Sequence, residues 1–246
     1  LRLLTFDRVT GTHGEEDYMP PRILTIKAGI NRCYLIKEEG AILIDAGPPG
    51  KINAFRKAFE RFAINPDEIK LIILTHGDLD HTGSAENLRR LTGAKIVIHH
   101  ADQQLFEQSL FNFPPGVTAW GKFMHAILSP LLKRFLHGVP GARTDIVLTD
   151  DDYHLTEFGI RGKIIHTPGH TAGSVSVLLD TGDAFVGCMA HNSPPFRLSP
   201  GLPIFAEDIE RVKQSWQPLL LQGATTIYPG HGAPFSVDVV KRTLAR

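Results

Sequence analysis

Cysteine is scarce in this chain: two residues, Cys33 and Cys188, stand among 246. Two thiols cannot build a disulfide framework. An excess of charge is also missing, since Lys plus Arg and Asp plus Glu both total 26. A nucleic-acid or polyanion partner would need a basic excess, so neither is expected. No apolar run approaches the ~20 residues that span a bilayer, so no membrane span is expected. No run near the first residue has the basic, apolar, small-residue order of a signal peptide, and a cytoplasmic location follows as the default. What is present is ordinary globular material, 42% hydrophobic and 21% charged, of a length that fits one domain over residues 1–246.

The first 20 residues are polar and irregular. Strands are expected at 23–26, 33–36 and 41–44, the last two joined by the hairpin signal Lys37-Glu38-Glu39-Gly40. A helix at 52–62, a strand at 71–75, a helix at 84–91 and a strand at 95–98 follow in α/β alternation. Residues 101–152 differ: Phe106, Phe111, Phe113, Trp120, Phe123, Leu131 and Phe135 lie among helix formers and the breakers Pro114, Pro115 and Pro130. This segment reads as a helical insertion that packs as core, roofs a pocket or forms the face of a homodimer. Strands return at 163–166, 175–179 and 184–187. A helix at 208–221 should be ended or kinked by Pro218. A strand at 225–228 and a helix at 237–244 close the chain. Two strand-rich halves, each followed by helices, suggest two stacked sheets with helices outside.

The densest chemistry lies in LIILTHGDLDHTGS, residues 71–84, where a buried-strand pattern runs into His76, Asp78, Asp80 and His81. Two imidazoles and two carboxylates in one strand-to-helix turn are most simply explained by a divalent metal. The plainer alternative makes Asp80 a helix cap and Asp78 a solvated carboxylate. Three further strands end in donor residues: HTPGHTAGS carries His170, AFVGC carries Cys188 and YPGHG carries His231. The glycines let the backbone turn sharply at these ends.

The order HGDLDH, TPGHTAGS, a strand ending in Gly-Cys, and YPGHG resembles the metallo-β-lactamase superfamily of hydrolases, over about residues 32–234. The resemblance implies an α+β fold, a four-layer αββα sandwich with one or two metals at one edge of the sheets. Carried over by position, one metal falls to His76, Asp78 and His170, and the second to Asp80, His81 and His231. Cys188 then lies between the metals or on the second. The family usually has histidine at position 78 and a bridging aspartate at position 188, so this chain departs at both. The Asp80, Cys188 and His231 set suits zinc, while the His76, Asp78 and His170 set also admits iron or manganese. The structural alternative for Cys188 is a buried small apolar residue.

The implied activity is hydrolysis of an ester, lactone, thioester or amide bond of a small molecule by a metal-bound hydroxide, with Asp80 orienting or deprotonating the water. Asp45 is expected to orient a ligand histidine or to cap a loop. His191 is expected at the substrate. The alternatives are an iron-dependent oxidoreductase of the same superfamily and a weakly catalytic metal-binding protein. His99, His100, His125, His137 and His154 fall outside the motifs and read as surface or packing residues.

Overall fold

A computed structural model describes residues 20–135 and 141–245. The polar stretch up to Met19 and the histidine at 137 lie outside the described residues. The first sheet takes six strands in chain order: β1 (Arg22–Ala28), β2 (Asn31–Lys37), β3 (Ala41–Ile44), β4 (Ile69–Ile73), β5 (Lys95–His99) and β6 (Ile146–Leu148). The second contains β7 (Tyr153–His154), β8 (Gly162–His166), β9 (Val175–Leu179), β10 (Asp183–Phe185), β12 (Thr226–Tyr228) and β14 (Phe235–Ser236). A parallel pair of short strands, β11 (His191–Asn192) and β13 (His231–Gly232), forms a separate two-stranded sheet just beyond β10 and β12 in the chain. The helices are α1 (Ile52–Phe62), α2 (Leu79–Thr82), α3 (Ala85–Thr92), α4 (His100–Glu107), α5 (Ala119–Phe135), α6 (Ile209–Leu221) and α7 (Asp238–Leu244).

Side chains on a strand alternate between its two faces, so a strand apolar on both must be covered on both. In the first sheet Leu35, Leu43 and Ile72 point outward to Phe55 and Phe59 of α1 and Leu88 of α3. Their neighbours Ile36, Ile42, Leu71 and Ile73 point inward, against Ile164, Val177 and Phe185 of the second sheet. The outer face of that sheet, with Ile165, Leu178 and Ile227, is covered by Val212, Trp216 and Leu219 of α6 and Val240 of α7. Three separate cores therefore define four layers, αββα, as the resemblance implied.

Strand direction positions the site. From β3 to β6 the first sheet is parallel. In the second, β8 and β10 both run antiparallel to β9, and β12 runs parallel to β10. The C-terminal ends of β4, β8, β10 and β12 consequently face one rim, where Val175 N–H donates to Thr75 C=O at 2.8 Å and ties the two sheets together.

Some elements differ from expectation. Residues 101–152 are not helical throughout, because β6 lies inside them and pairs with β5; three residues are too few for alternation to register. The two-residue β7 escapes for the same reason. Pro218 does not end α6, which continues to Leu221, because Trp216 and Leu219 on either side of it are fully buried against the sheet. Pro130 likewise lies within α5. Cys188 sits in a short turn, Gly187–Met189, beyond the end of β10 rather than on a strand.

Candidate metal centre

All seven donor residues come together at the rim. His76 and His170 turn toward Asp78, with Nε2 to Oδ2 distances of 3.6 and 3.2 Å. Asp80 Oδ2 lies 3.6 Å from His81 Nε2 and 3.3 Å from His231 Nε2. The two imidazole nitrogens of this second group are 3.3 Å apart. Cys188 Sγ stands between the groups. It is 3.2 Å from His81 Nε2, and it lies within 4.8 Å of donor atoms in both the His76–His170 pair and the His81–His231 pair.

Glycines make this convergence possible. Gly187 has φ +49, and a Cβ there would lie 2.5 Å from Thr75 Oγ1; a Cβ at Gly230 would meet His81 Cε1 at the same distance. Any side chain at either position would push a donor loop off the rim.

Each histidine is fixed through its other nitrogen. His81 Nδ1–H donates to Asp45 Oδ2 at 2.7 Å. His170 Nδ1–H donates to Phe205 C=O at 2.9 Å, and His231 Nδ1–H to Ile30 C=O at 3.4 Å. His76 Nδ1 lies 2.9 Å from Thr75 Oγ1, whose own hydroxyl donates to Asp45. The Thr75 oxygen therefore accepts from His76 Nδ1–H. In all four rings Nδ1 is taken up by an outward partner, so that Nε2 faces the centre, the arrangement that orients imidazoles toward a metal. Asp45, set at φ 60, thus holds two of the histidines at the rim, one directly and one through Thr75.

The electrostatics call for a cation. Burial alone would push the Cys188 thiol up, but His81, His231, His170 and His76 outweigh it and hold the thiol well below its ordinary range. Burial opposes charge on His81, His170 and His231 too. The Cys188 sulfur and the neighbouring carboxylates overcome it, raising all three, His231 to about 9. Desolvation opposes charge on Asp80 as well, yet His81 and His231 hold its carboxyl far below the usual range. In the absence of a metal, protons on the imidazoles must balance the thiolate and carboxylates; a divalent ion displaces them. His76 Nε2 is buried with no hydrogen-bond partner, a cost that a coordinated metal removes. The N, O and S donor set fits zinc.

Several residues at the site carry no local sequence signal. Asn31 Nδ2 donates to Asp80 Oδ2 and to His81 Nε2, both at 3.1 Å. Asn112 Nδ2 donates to Asp78 Oδ1 at 3.0 Å, leaving Oδ2 for the centre. Buried Asp102 accepts from Gly77 N–H, Thr171 Oγ1–H and Gly173 N–H at 2.7 to 2.9 Å, stapling the His76 loop to the His170 loop. His191 is buried beside the centre, with both ring nitrogens unpartnered. Burial lowers it to about 4, so its ring is neutral at physiological pH.

Above the centre lies a cavity of about 320 Å³, floored by Asp78, Asp80, His170, Cys188 and His231. Its walls are apolar: Ile30, Phe111, Phe113, Leu128, Leu132 and Phe205. Leu128 and Leu132 come from α5, so part of the segment at 101–152 does roof the site.

An αββα sandwich with histidine, carboxylate and thiol donors at one rim defines a class of metal-binding fold. The chain belongs to the metallo-beta-lactamase superfamily, whose family model matches residues 26–231. It is 25% identical to the uncharacterized protein ML0493 of Mycobacterium leprae, over 85% of this chain and 90% of that one. It is 29% identical to the probable metallo-hydrolase YflN of Bacillus subtilis, over 74% of this chain and 64% of that one. The fold is similar to that of the metallo-beta-lactamase family protein TTHA1429 from Thermus thermophilus, with a TM-score of 0.65 at 17% identity, covering 92% of this chain and 78% of that one.

Proposed function

We propose that the protein is a zinc-dependent hydrolase that cleaves an ester, thioester, lactone or amide bond in a small molecule bearing an apolar arm. The observation that carries this reading is the apolar cavity opening directly onto the converged donors. His76, Asp78 and His170 form one ligand set, Asp80, His81 and His231 the other, and Cys188 is shared between them. The thiolate favours zinc over harder ions. When bound there, zinc would supply a Lewis acid and lower the pKa of a water to about 7.

The remaining roles belong to the chain. Ile30, Phe113, Leu128 and Phe205 hold the apolar arm and exclude water around it. Asp80, kept ionised by His81 and His231, orients the attacking water by accepting a hydrogen bond from it at a carboxylate oxygen. The Asn31 amide fixes that carboxylate. His191, neutral and unpartnered in the cavity wall, donates a hydrogen bond to the substrate's polar head.

The test is hydrolysis of p-nitrophenyl acetate, butyrate and octanoate by zinc-loaded and chelated protein. With zinc, kcat/KM should rise roughly fourfold per added methylene until the cavity is full, as expected from ~0.8 kcal/mol per buried CH₂. Chelation should abolish it. Turnover that survives complete metal removal, or is indifferent to acyl length, refutes the reading.

A further inference from the structure

The chain as a whole is neutral, but its charge is unevenly distributed. Between Glu107 and Asp145 there is no acidic residue, while Lys122, Lys133, Arg134 and Arg143 all fall in this interval. The segment from Ala184 to Ala206, which also borders the cavity, has none either. Helix α5 lies in the first of these. One of its faces carries Leu128 and Leu132 into the cavity wall. The neighbouring face, about a quarter of the way round the helix, presents Trp120, Phe123, Ile127 and Leu131, each about half exposed, at the three- and four-residue spacing of a helical stripe. Leu198, 95% exposed, extends the patch beyond Trp120. Arg134 falls within the stripe and Lys122 and Lys133 lie along one side of it, all three exposed and without an ion pair among the described residues.

We infer that this outer face of α5 docks on an anionic lipid bilayer. A large exposed apolar patch marks an interaction surface. An apolar stripe with Trp, edged by Lys and Arg, is the pattern of a helix that lies in the membrane interface rather than across it. No described helix is long and apolar enough to cross a membrane, so the docking is peripheral. Charge decides between a bilayer and a second copy of the chain. A two-fold contact would set this face against itself, bringing basic residues together with no acidic residue of α5 to answer them. Anionic headgroups answer them directly.

The two tryptophans make the test clean. Trp216 is fully buried and Trp120 is 47% exposed, so a change in emission on binding reports Trp120. The full-length protein is mixed with vesicles of phosphatidylcholine alone, or with phosphatidylglycerol added, and followed by flotation and fluorescence. The expected result is a blue shift and flotation with the anionic vesicles, weakened at high salt. The double variant Phe123→Asp/Ile127→Asp should bind at least tenfold more weakly. Lys133→Gln and Arg134→Gln should each weaken binding roughly fivefold, and they alter only exposed charges, so their folding is not at issue. No flotation of the wild-type protein with either vesicle overturns the proposal. So does a blue shift that follows protein concentration without lipid and accompanies a doubled mass in sedimentation, which would make the face a dimer contact.

Discussion

Two groups of histidines occupy the same rim, and only one is built like a metal centre. At the centre, four rings surround Cys188, and each uses Nδ1 as an outward donor so that Nε2 faces in. Toward the β6 edge, His99, His100 and His166 gather around one oxygen of Asp150, at 3.2 to 3.4 Å. The rings there are not anchored alike. His99 Nδ1 accepts from Ala101 N–H at the start of α4, so its Nε2 carries the proton and donates to Asp150. His166 uses Nε2 to donate to Ala172 C=O and stacks on His99 at 3.9 Å. The Asp150 side chain is 74% exposed. Density of imidazoles is therefore a poor guide; what distinguishes the centre is that every ring is turned the same way by a partner at Nδ1. The edge group ties α4 and the end of β8 together, and through the His166–Ala172 hydrogen bond it helps hold the His170 loop.

The comparison can be broken most decisively by metal content. Cys188→Ser should lower zinc affinity at least tenfold, read by chelator competition and elemental analysis, while Asp150→Asn should leave it unchanged. Equal losses in the two variants would erase the distinction. Next in size, Asp45→Asn should weaken zinc binding by about 10- to 100-fold although Asp45 is placed to touch no metal, because it holds both His81 and, through Thr75, His76. An unchanged affinity would show that anchoring is incidental.

The pH dependence of stability should differ in sign between the groups. In chelated protein, His231 is raised from 6.5 to about 9, so its contribution is fully present below pH 6.5 and lost as pH rises through 9. His99 is lowered from 6.5 to about 4, chiefly by burial and by the neighbouring imidazoles. The unfolded chain then binds the extra proton, and stability falls as pH drops from 6.5 toward 4 but is flat above. Denaturant midpoints should show the alkaline limb shrink in His231→Asn, with His81 and His170 leaving the remainder, and the acid limb shrink in His99→Asn, where asparagine retains the helix cap. The smallest effect belongs to Asn112→Ala, which frees one Asp78 oxygen. It should lower kcat/KM by about tenfold at most, in line with the ~0.5–1.5 kcal/mol net contribution of a typical hydrogen bond, without altering the pH limbs.

Much of the centre was legible because its donors are marked locally. His76, Asp78, Asp80 and His81 share six consecutive positions, and His170 and His231 each follow Pro-Gly. Asn31, Asp102 and Asn112 were not, since a single amide or carboxylate in a loop looks like any other polar residue. His99 was read as a surface or packing residue; it is fully buried and caps α4. Net neutrality concealed the acid-free stretch over α5, because a total charge carries no information on where the charges fall.

Sequence by itself determined the layers and which donor side chains lie at strand ends, since apolar alternation and strand-end motifs are set by nearest neighbours along the chain. Only the tertiary structure decided which imidazole nitrogen faces inward, which carbonyls and carboxylates hold it there, and which face of α5 is left to solvent. Those properties depend on groups brought together from as far apart as Ile30 and His231, and no local pattern encodes a contact of that span.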